Sequence, residues 1–330
     1  MRILTGDIGG TNSRLAVATS IEGRLELSHE RRYPSMEHHS LQDILEHYLA
    51  HLGEPMEGAA LGLPGPVANG HCDVTNLPWV VDARTLEADT GISRIVLLND
   101  LEAAAWGIDS LSKEALFVLQ PGASGSQGNR SVIAAGTGLG EAGMYWDGSR
   151  HHPFATEGGH ASFAPRSDLE VDLLRWLEPR YGQVSWERLV SGPGLVHIFE
   201  FLSRHRGIAQ PAGLQQAMKH GDPAAAIAQA ANNHESPTCI EAMELFCSLY
   251  GAEAGNQALK LMATGGVYVG GGIAPKILAW LQRPAFLEAF RDKGKMQGLM
   301  EKIPVSIILD DRTALYGPAR KWFAESAPDH

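Results

Sequence analysis

The sequence predicts an α/β protein built from two halves. Strand-like residues, a glycine-rich turn and further strand-like residues follow one another twice, with turns at residues 9–12 and 136–140. Two such units far apart in the chain indicate a duplicated architecture, in which the turns face each other across a cleft and each offers backbone N–H groups to a phosphate.

Composition supports a globular protein of ordinary type. The chain has 330 residues, of which 44% are hydrophobic and 20% charged, enough for a sizeable core and two domains. The net charge of -11 is spread along the chain. The sequence therefore offers no extended basic surface for nucleic acid or anionic lipid.

The N-terminal residues read as a short strand and a glycine turn, which differs from a signal peptide and predicts a cytoplasmic protein. The longest apolar candidate for a membrane span, residues 259–273, is interrupted by glycines. Cys72, Cys239 and Cys247 contain no C-x-x-C pair, so we expect reduced, buried thiols instead of disulfides or a zinc site.

Between and after the turns, the pattern predicts alternating elements. We expect a helix with apolar positions Leu41, Ile44, Leu45 and Tyr48, strands at 59–63 and 95–98, and helices from Ser167 to about residue 260. A strand at 267–269 precedes a helix with Pro275 in its first turn. A last strand at 305–309 and a helix at 313–323 complete the prediction.

Residues 138–143 match the dinucleotide fingerprint G-x-G-x-x-G, but that motif requires a helix directly after it. Residues 144–148 read instead as a strand and an Asp-Gly turn. The sequence also lacks the Walker motif G-x-x-x-x-G-K-[ST]. Both common nucleotide motifs are therefore excluded.

The first turn suits phosphate binding. Paired Gly9 and Gly10 permit close backbone approach, Thr11 and Asn12 add side-chain donors, and Asp7 is placed to hold Mg²⁺ through water. A plain hairpin with an exposed aspartate is the alternative for such a motif in isolation. The second glycine turn favours the phosphate site.

Further candidates follow the strand at 95–98 and the second unit. Asp100, at a strand's carboxyl end, is placed to accept a hydroxyl proton, although Asn99 and Asp100 equally suit a helix cap. Glu157 and His160 flank two glycines and could bind a polyhydroxylated ligand. From spacing alone, Glu187 reads as a solvated helical residue.

Taken together, these segments resemble the bacterial glucokinase family in order and spacing. The similarity also covers residues 63–67 and 75–79, which resemble that family's sugar-side loops. The main segments that carry it are residues 7–12, 98–100, 135–140, 157–160, 187–194 and 270–273.

The resemblance implies a two-domain actin-like ATPase (ribonuclease H-like) fold with an interdomain active-site cleft. The small α/β domain would comprise residues 1–110 plus 301–330, and the large one residues 111–300. The implied reaction is ATP-dependent phosphorylation of glucose at the 6-hydroxyl, with Mg²⁺ bridging the phosphates. A homodimer is also implied.

The resemblance also assigns roles to residues. Asp100 would be the general base, and the glucose hydroxyls would be bound by Asn99, Asp100, Glu157, His160 and Glu187. ATP would be held by Asp7, Ile8, Gly9, Gly10, Thr11, Asn12, Gly136, Thr137, Gly138, Leu139 and Gly140, with Gly270, Gly271, Gly272 and Ile273 on the adenosine side.

Three alternatives stay open or are disfavoured at this point. A kinase for mannose or an N-acetylhexosamine would need no different motif, so a panel of sugars must decide. A sugar-sensing regulator is disfavoured because the phosphate turn begins within ten residues of Met1, which leaves no room for a DNA-binding head there. Zinc at His160 is disfavoured because residues 161–185 contain no cysteine, unlike a related group of repressors and kinases.

Overall fold

The computed structural model describes residues 1–22 and 24–326 of the chain. Its strands are β1 (Arg2–Ile8), β2 (Asn12–Ile21), β3 (Arg24–Pro34), β4 (Ala59–Leu63), β5 (Val67–Ala68), β6 (His71–Asp73), β7 (Val80–Asp82), β8 (Ile95–Asn99), β9 (Leu116–Gln120), β10 (Arg130–Ala135), β11 (Leu139–Trp146), β12 (His151–Thr156), β13 (Gly266–Gly270) and β14 (Val305–Ile308). Its α-helices are α1 (Leu41–Leu52), α2 (Ala83–Thr90), α3 (Asp100–Gly107), α4 (Asp168–Tyr181), α5 (Gly192–Arg206), α6 (Ala212–His220), α7 (Pro223–Asn232), α8 (Pro237–Leu261), α9 (Leu278–Leu281), α10 (Pro284–Arg291), α11 (Gln297–Met300) and α12 (Thr313–Ser326).

The chain divides into two compact units. The first comprises residues 1–115, 152–155 and those from 310 onward; the second comprises residues 116–151 and 156–309. The first unit contains a five-stranded sheet in the order β3-β2-β1-β4-β8. Strands β1, β4 and β8 run parallel, and β4 is buried along its whole length. Helices α3 and α12 pack together beside this sheet, as expected for parallel strands that are covered on both faces.

The second unit contains five neighbouring strands of a sheet, in the order β11-β10-β13-β14-β9. Strands β10, β13 and β14 are parallel, while β11 and β9 pair antiparallel with β10 and β14. The long helix α8 packs on β10 and β13 and also contacts α5, α7 and α10. Its small and apolar side chains form the centre of the larger core.

Both predicted strand–turn–strand units are confirmed. Strands β1 and β2 pair up to Ile8 and Ser13, and β10 and β11 pair up to Ala135 and Leu139. Because residues 139–146 form a strand, the exclusion of the dinucleotide fingerprint is also confirmed. Helices α1 and α4 begin after serine caps, Ser40 and Ser167, whose hydroxyls accept backbone hydrogen bonds.

The helix expected around Pro275 begins later, at Leu278. Residues 271–277 form consecutive turns instead. Gly271 has a left-handed backbone (φ 81°), and the Ile273 N–H donates to Ala135 O at 3.2 Å. The predicted helix start was too early, because Gly271 and the bond to Ala135 O hold residues 271–273 against β10 and only turns follow before Leu278.

The placement of the strand at 305–309 with the first domain was also wrong. The observed strand, β14, pairs in parallel with β13, beginning at Val267 and Val305. Its Val and Ile side chains are buried, as expected of an inner strand in the second sheet. Helix α12, by contrast, contacts β1, β4 and α3 of the first unit.

Within the described residues, no helix is long and apolar enough to cross a membrane. The three cysteines are free and buried, which confirms their predicted burial.

Helix α12 approaches α3 closely at Gly317. A Cβ on Gly317 would lie 1.6 Å from Ala103 O, whereas a Cβ on Gly213 of α6 would meet nothing within 4 Å. We expect Gly317→Ala to lower the free energy of unfolding by about 2–3 kcal/mol through forced helix displacement. Gly213→Ala should be neutral or stabilising. Urea denaturation of both variants checks this, and equal effects would contradict it.

Candidate active site

The first glycine turn is closed by backbone bonds and anchored by a buried serine. Gly9 N–H donates to Asn12 O at 3.0 Å. Ser35 Oγ donates to Gly9 O at 2.6 Å, and Ser35 N–H donates to Thr11 O at 2.9 Å. Thr11 and Asn12 remain exposed. Ser35 therefore fixes the turn without occupying its outer face, and no local pattern in the sequence indicates this role.

Asp7 is held by Arg14, a residue that the sequence analysis did not single out. Arg14 Nη2 and Nε lie 2.9 and 3.2 Å from Asp7 Oδ2. Arg14 Nη1 also lies 2.8 Å from Asp311 Oδ2. Burial lowers the pKa of the Arg14 guanidinium, but the two carboxylates outweigh burial and raise it overall. Arg14 thus stays charged and fixes the orientation of Asp7.

Asn99 caps helix α3, so the cap that the sequence allowed is present. Asn99 Oδ1 accepts from the N–H groups of Leu101 and Glu102 at 2.9 and 3.2 Å. Its Nδ2 donates to Gly65 O at 3.1 Å, in the loop after β4. Asp100 is half-buried at the first helical position, and its Oδ1 accepts from Leu101 N–H at 2.9 Å. Capping therefore fixes the position of Asp100.

The residues of the first unit that were predicted from motifs lie at one sheet edge. Asp7 lies at the end of β1, and Asn99 ends β8. Both strands run parallel to β4. Their carboxyl ends therefore meet at the same edge, as in other open α/β sheets.

The second glycine turn contacts Glu187. Leu139 N–H donates to Glu187 Oε2 at 3.1 Å, and a Cβ on Gly138 would lie 2.5 Å from that oxygen. Gly192 N–H donates to Gly136 O at 2.8 Å, so the start of α5 also supports the turn. Spacing alone suggested a solvated Glu187, and this was wrong because the carboxylate is half-buried against the turn.

Tyr250 of α8 connects the second turn with residues 270–273. Its hydroxyl accepts from Ala135 N–H at 3.1 Å and lies 3.2 Å from both Ile133 O and Gly270 O, to either of which it can donate. The ring is fully buried, and burial raises the pKa of its hydroxyl. Tyr250 thereby holds the ends of the parallel strands β10 and β13 together.

Glu157 and His160 lie on one short segment of the second unit. A 3₁₀ turn, Gly158–His160, follows Glu157 directly. Both side chains are exposed, and His160 Nε2 lies 3.9 Å from Glu157 Oε2. The two groups can therefore act together on one polar ligand.

Gly136 and Gly272 show that the turns of the second unit leave their backbone accessible. A Cβ at either position would meet no atom within 4 Å, and neither has a left-handed backbone. Neither close packing nor backbone strain in the chain itself explains these glycines. They suit the close approach of a ligand such as a phosphate.

For Mg²⁺, the chain supplies few ligands of its own. Among the described residues, no three His, Cys, Asp or Glu side chains group as metal ligands. Both bonds from Arg14 to Asp7 use Oδ2. Oδ1 is therefore the atom that fits a cation bound through water.

The sequence and the fold were compared with those of known proteins. A sequence model of the glucokinase family matches residues 4–325. A glucokinase from Trichormus variabilis is 40% identical, covering 96% of this chain and 97% of the relative. A crystal structure of glucokinase from an Antarctic psychrotroph superposes with a TM-score of 0.84 at 30% identity, covering 98% of this chain and 99% of that one.

A ROK family glucokinase from Streptomyces griseus, solved in complex with glucose and AMPPNP, has a TM-score of 0.62 at 20% identity over 97% of this chain and 98% of that one. The mixed sheets and helices are thus those of sugar kinases with the actin-like ATPase fold. The chain belongs to the glucokinase family.

Tyr250→Phe tests whether the hydroxyl holds the two turns. Its loss leaves the buried Ala135 N–H without an acceptor, which costs about 1–3 kcal/mol. We expect faster amide hydrogen exchange at residues 133–139 and 270–273, measured by mass spectrometry, while α4 exchanges at the wild-type rate. Uniform acceleration over the second unit would indicate general destabilisation and contradict the specific role.

Proposed function

We propose that the protein transfers the γ-phosphoryl group of ATP to the 6-hydroxyl of glucose, giving glucose 6-phosphate and ADP. Membership of the glucokinase family supports the reaction. The observation that carries the mechanism is the fixed position of Asp100 at the carboxyl end of β8, at the same end of the parallel strands as the turn that follows β1. A sensor or regulator would not require a carboxylate there.

Asp100 acts as the general base. Its carboxylate can accept the 6-hydroxyl proton as the oxygen attacks phosphorus. Phosphoryl transfer passes through a loose transition state, so orientation matters more than basicity. The Asn99 cap and the bond from Leu101 N–H supply that orientation.

The sugar hydroxyls are bound by Asn99, Asp100, Glu157, His160 and Glu187. Carboxylates accept from hydroxyls, and the amide and imidazole can donate or accept, which suits a polyhydroxylated ring. Asn99 uses Oδ1 for the helix cap and one Nδ2 hydrogen for the bond to Gly65 O, so the second Nδ2 hydrogen is the donor for the sugar. Glu187 contacts the glycine turn as well, and so connects the sugar and nucleotide sites.

The glycine turns at residues 9–12 and 136–140 hold the ATP phosphates through backbone N–H groups, and residues 270–273 line the adenosine side. Asp7 holds Mg²⁺ through water, with Ile8 beside it at the end of β1. The ion supplies charge neutralisation on the phosphates. Arg14 keeps the Asp7 carboxylate in one orientation throughout.

We propose that the active site lies in an interdomain cleft, as the resemblance to the family implies. We propose a small domain close to residues 1–110 plus 301–330 and a large domain close to residues 111–300, adjusted so that β14 belongs to the large one. A cytoplasmic location and a homodimer complete the proposal.

The variant Asp100→Asn tests the role of Asp100 as the general base. Asparagine retains the size and the acceptor oxygen for Leu101 N–H but cannot take up the proton. We expect turnover to fall by at least ~100-fold with nearly unchanged glucose affinity. Coupled-assay kinetics and calorimetric titration with glucose measure the two quantities. Asp89→Asn, on the exposed end of α2, is the matched control. Near-normal turnover in Asp100→Asn would remove Asp100 from this role.

Domain closure gives a second test. If both domains bind the sugar, saturating glucose should draw them together and exclude water from the site. We expect a smaller radius of gyration in small-angle X-ray scattering with glucose than without it. An unchanged radius at saturation would count against the interdomain cleft.

A further inference from the structure

Two carboxyl groups are buried together behind the Glu157–His160 segment. Glu141 of β11 is 3% exposed and Glu253 of α8 is 0% exposed. The two carboxyl groups lie close enough for the charge of Glu253 to raise the pKa of Glu141. In each, Oε1 is buried without any donor among the described residues. Two negative charges buried together without donors repel each other, which favours a state in which one of the two carboxyl groups holds a proton.

The surrounding charges place the proton on Glu141. Glu253 Oε2 accepts from Asn256 Nδ2 at 2.8 Å, and Lys260 Nζ lies 3.8 Å from Glu253 Oε1. Lys293 Nζ donates to Ala252 O and to Asn256 Oδ1, at 2.9 and 2.8 Å. Both cations therefore face Glu253, which takes the negative charge.

The other titratable groups nearby do not compensate Glu141. Tyr250 faces it from α8 as a neutral hydroxyl. Lys293 is itself surrounded by Arg166, Glu170 and Asp292. Burial, followed by the charge of Glu253, raises the pKa of Glu141 to about 8. Burial also raises the pKa of Glu253 and lowers that of Lys293 to about 8.

Glu141 lies directly against the sugar-side segment. A Cβ on Gly158 would lie 2.0 Å from Glu141 Oε2, and one on Gly159 would lie 2.0 Å from Leu139 O. Thr156 Oγ1 also donates to Glu141 O at 3.0 Å. The segment that carries Glu157 and His160 therefore packs against Leu139 and the buried Glu141, which are alternate residues of β11.

We propose that Glu141 is a positioning residue for hexose binding, which in its protonated form supports the Glu157–His160 segment from below. The inference rests on the proposed role of that segment in binding the sugar. Loss of the proton places a second buried charge beside Glu253 and beneath Glu157, so the segment shifts outward. Hexose binding weakens as the pH rises, whereas ATP binding does not depend on this proton.

The same proton affects folding. Because the pKa of Glu141 is higher in the folded chain than in the unfolded one, the folded state binds more protons between about pH 4.5 and 8. The stabilisation from Glu141 is fully present below its pKa in the unfolded chain. It is lost as the pH rises through its pKa in the folded chain. Glu141→Gln, which is neutral at every pH, removes this dependence.

The experiment compares wild type with Glu141→Gln across neutral and alkaline pH. In wild type, the KM for glucose should rise about 3- to 10-fold from pH ~7 to ~9, with the KM for ATP changing less than about 2-fold. In Glu141→Gln, the KM for glucose should stay within about 2-fold of the wild-type value at neutral pH, because the amide resembles the neutral acid.

Two further variants test the cause. Lys260 is exposed and lowers the pKa of Glu141, so Lys260→Met should move the KM transition to higher pH. Glu170 is equally buried but paired with Arg166, and Glu170→Gln should leave the transition in place.

The outcomes separate this inference from the proposed function. A wild type that does not phosphorylate glucose would overturn the proposed function, and the pair would then be judged by the pH dependence of the thermal unfolding midpoint. An identical pH dependence of that midpoint in wild type and Glu141→Gln would overturn the inference. So would a KM transition that persists in Glu141→Gln, which would identify Lys293 as the titrating group.

Discussion

Backbone groups at the carboxyl ends of parallel strands determine where the candidate site lies. When β1, β8, β10 and β13 end, their next N–H and C=O groups have no further ladder partner and must be satisfied otherwise. The chain does this with the Asn99 cap, the Tyr250 hydroxyl and the short bonds within the glycine turns. The glycine turns that are proposed to bind phosphate lie at these ends.

The supporting residues are buried, whereas the residues proposed to meet substrates are exposed or half-buried. Ser35, Tyr250 and Arg14 are nearly inaccessible, and each fixes a turn or a carboxylate by two or more polar contacts. Rigid support of this kind reduces the reorganisation that a phosphoryl-transfer site would otherwise require. Glu141 extends the same principle to the segment that carries Glu157 and His160.

Local patterns allowed much of the fold to be predicted from the sequence. The β1–β2 and β10–β11 pairs, the face of α1 and the capped start of α4 all depend on residues close together in the chain. Asn99 was also recognisable as a cap. The helix after β13 was misplaced because Ala135, far away in sequence, accepts the Ile273 N–H. For β14, strand-like composition could not indicate which sheet it would join.

Motifs in the sequence identify some residues of the candidate site, whereas the residues that support them depend on partners far away in the chain. Asp7, Asp100 and the glycine turns stand in recognisable segments. Arg14 and Asp311, by contrast, are 297 positions apart, and Glu141 and Glu253 are brought together only by packing α8 under β11. Neither pair has a local pattern, because the charge and burial that define them exist only in the folded chain.

Helix α12 also sets an order for folding during synthesis. Trp322 and Ala319 complete a core cluster with Ile3, Ala18 and Ala60, and Asp311 reaches Arg14. The strands of the first unit leave the ribosome early, yet they remain partly uncovered until this helix emerges. The second unit, whose residues end at 309, can consequently finish folding before the unit that precedes it in the chain.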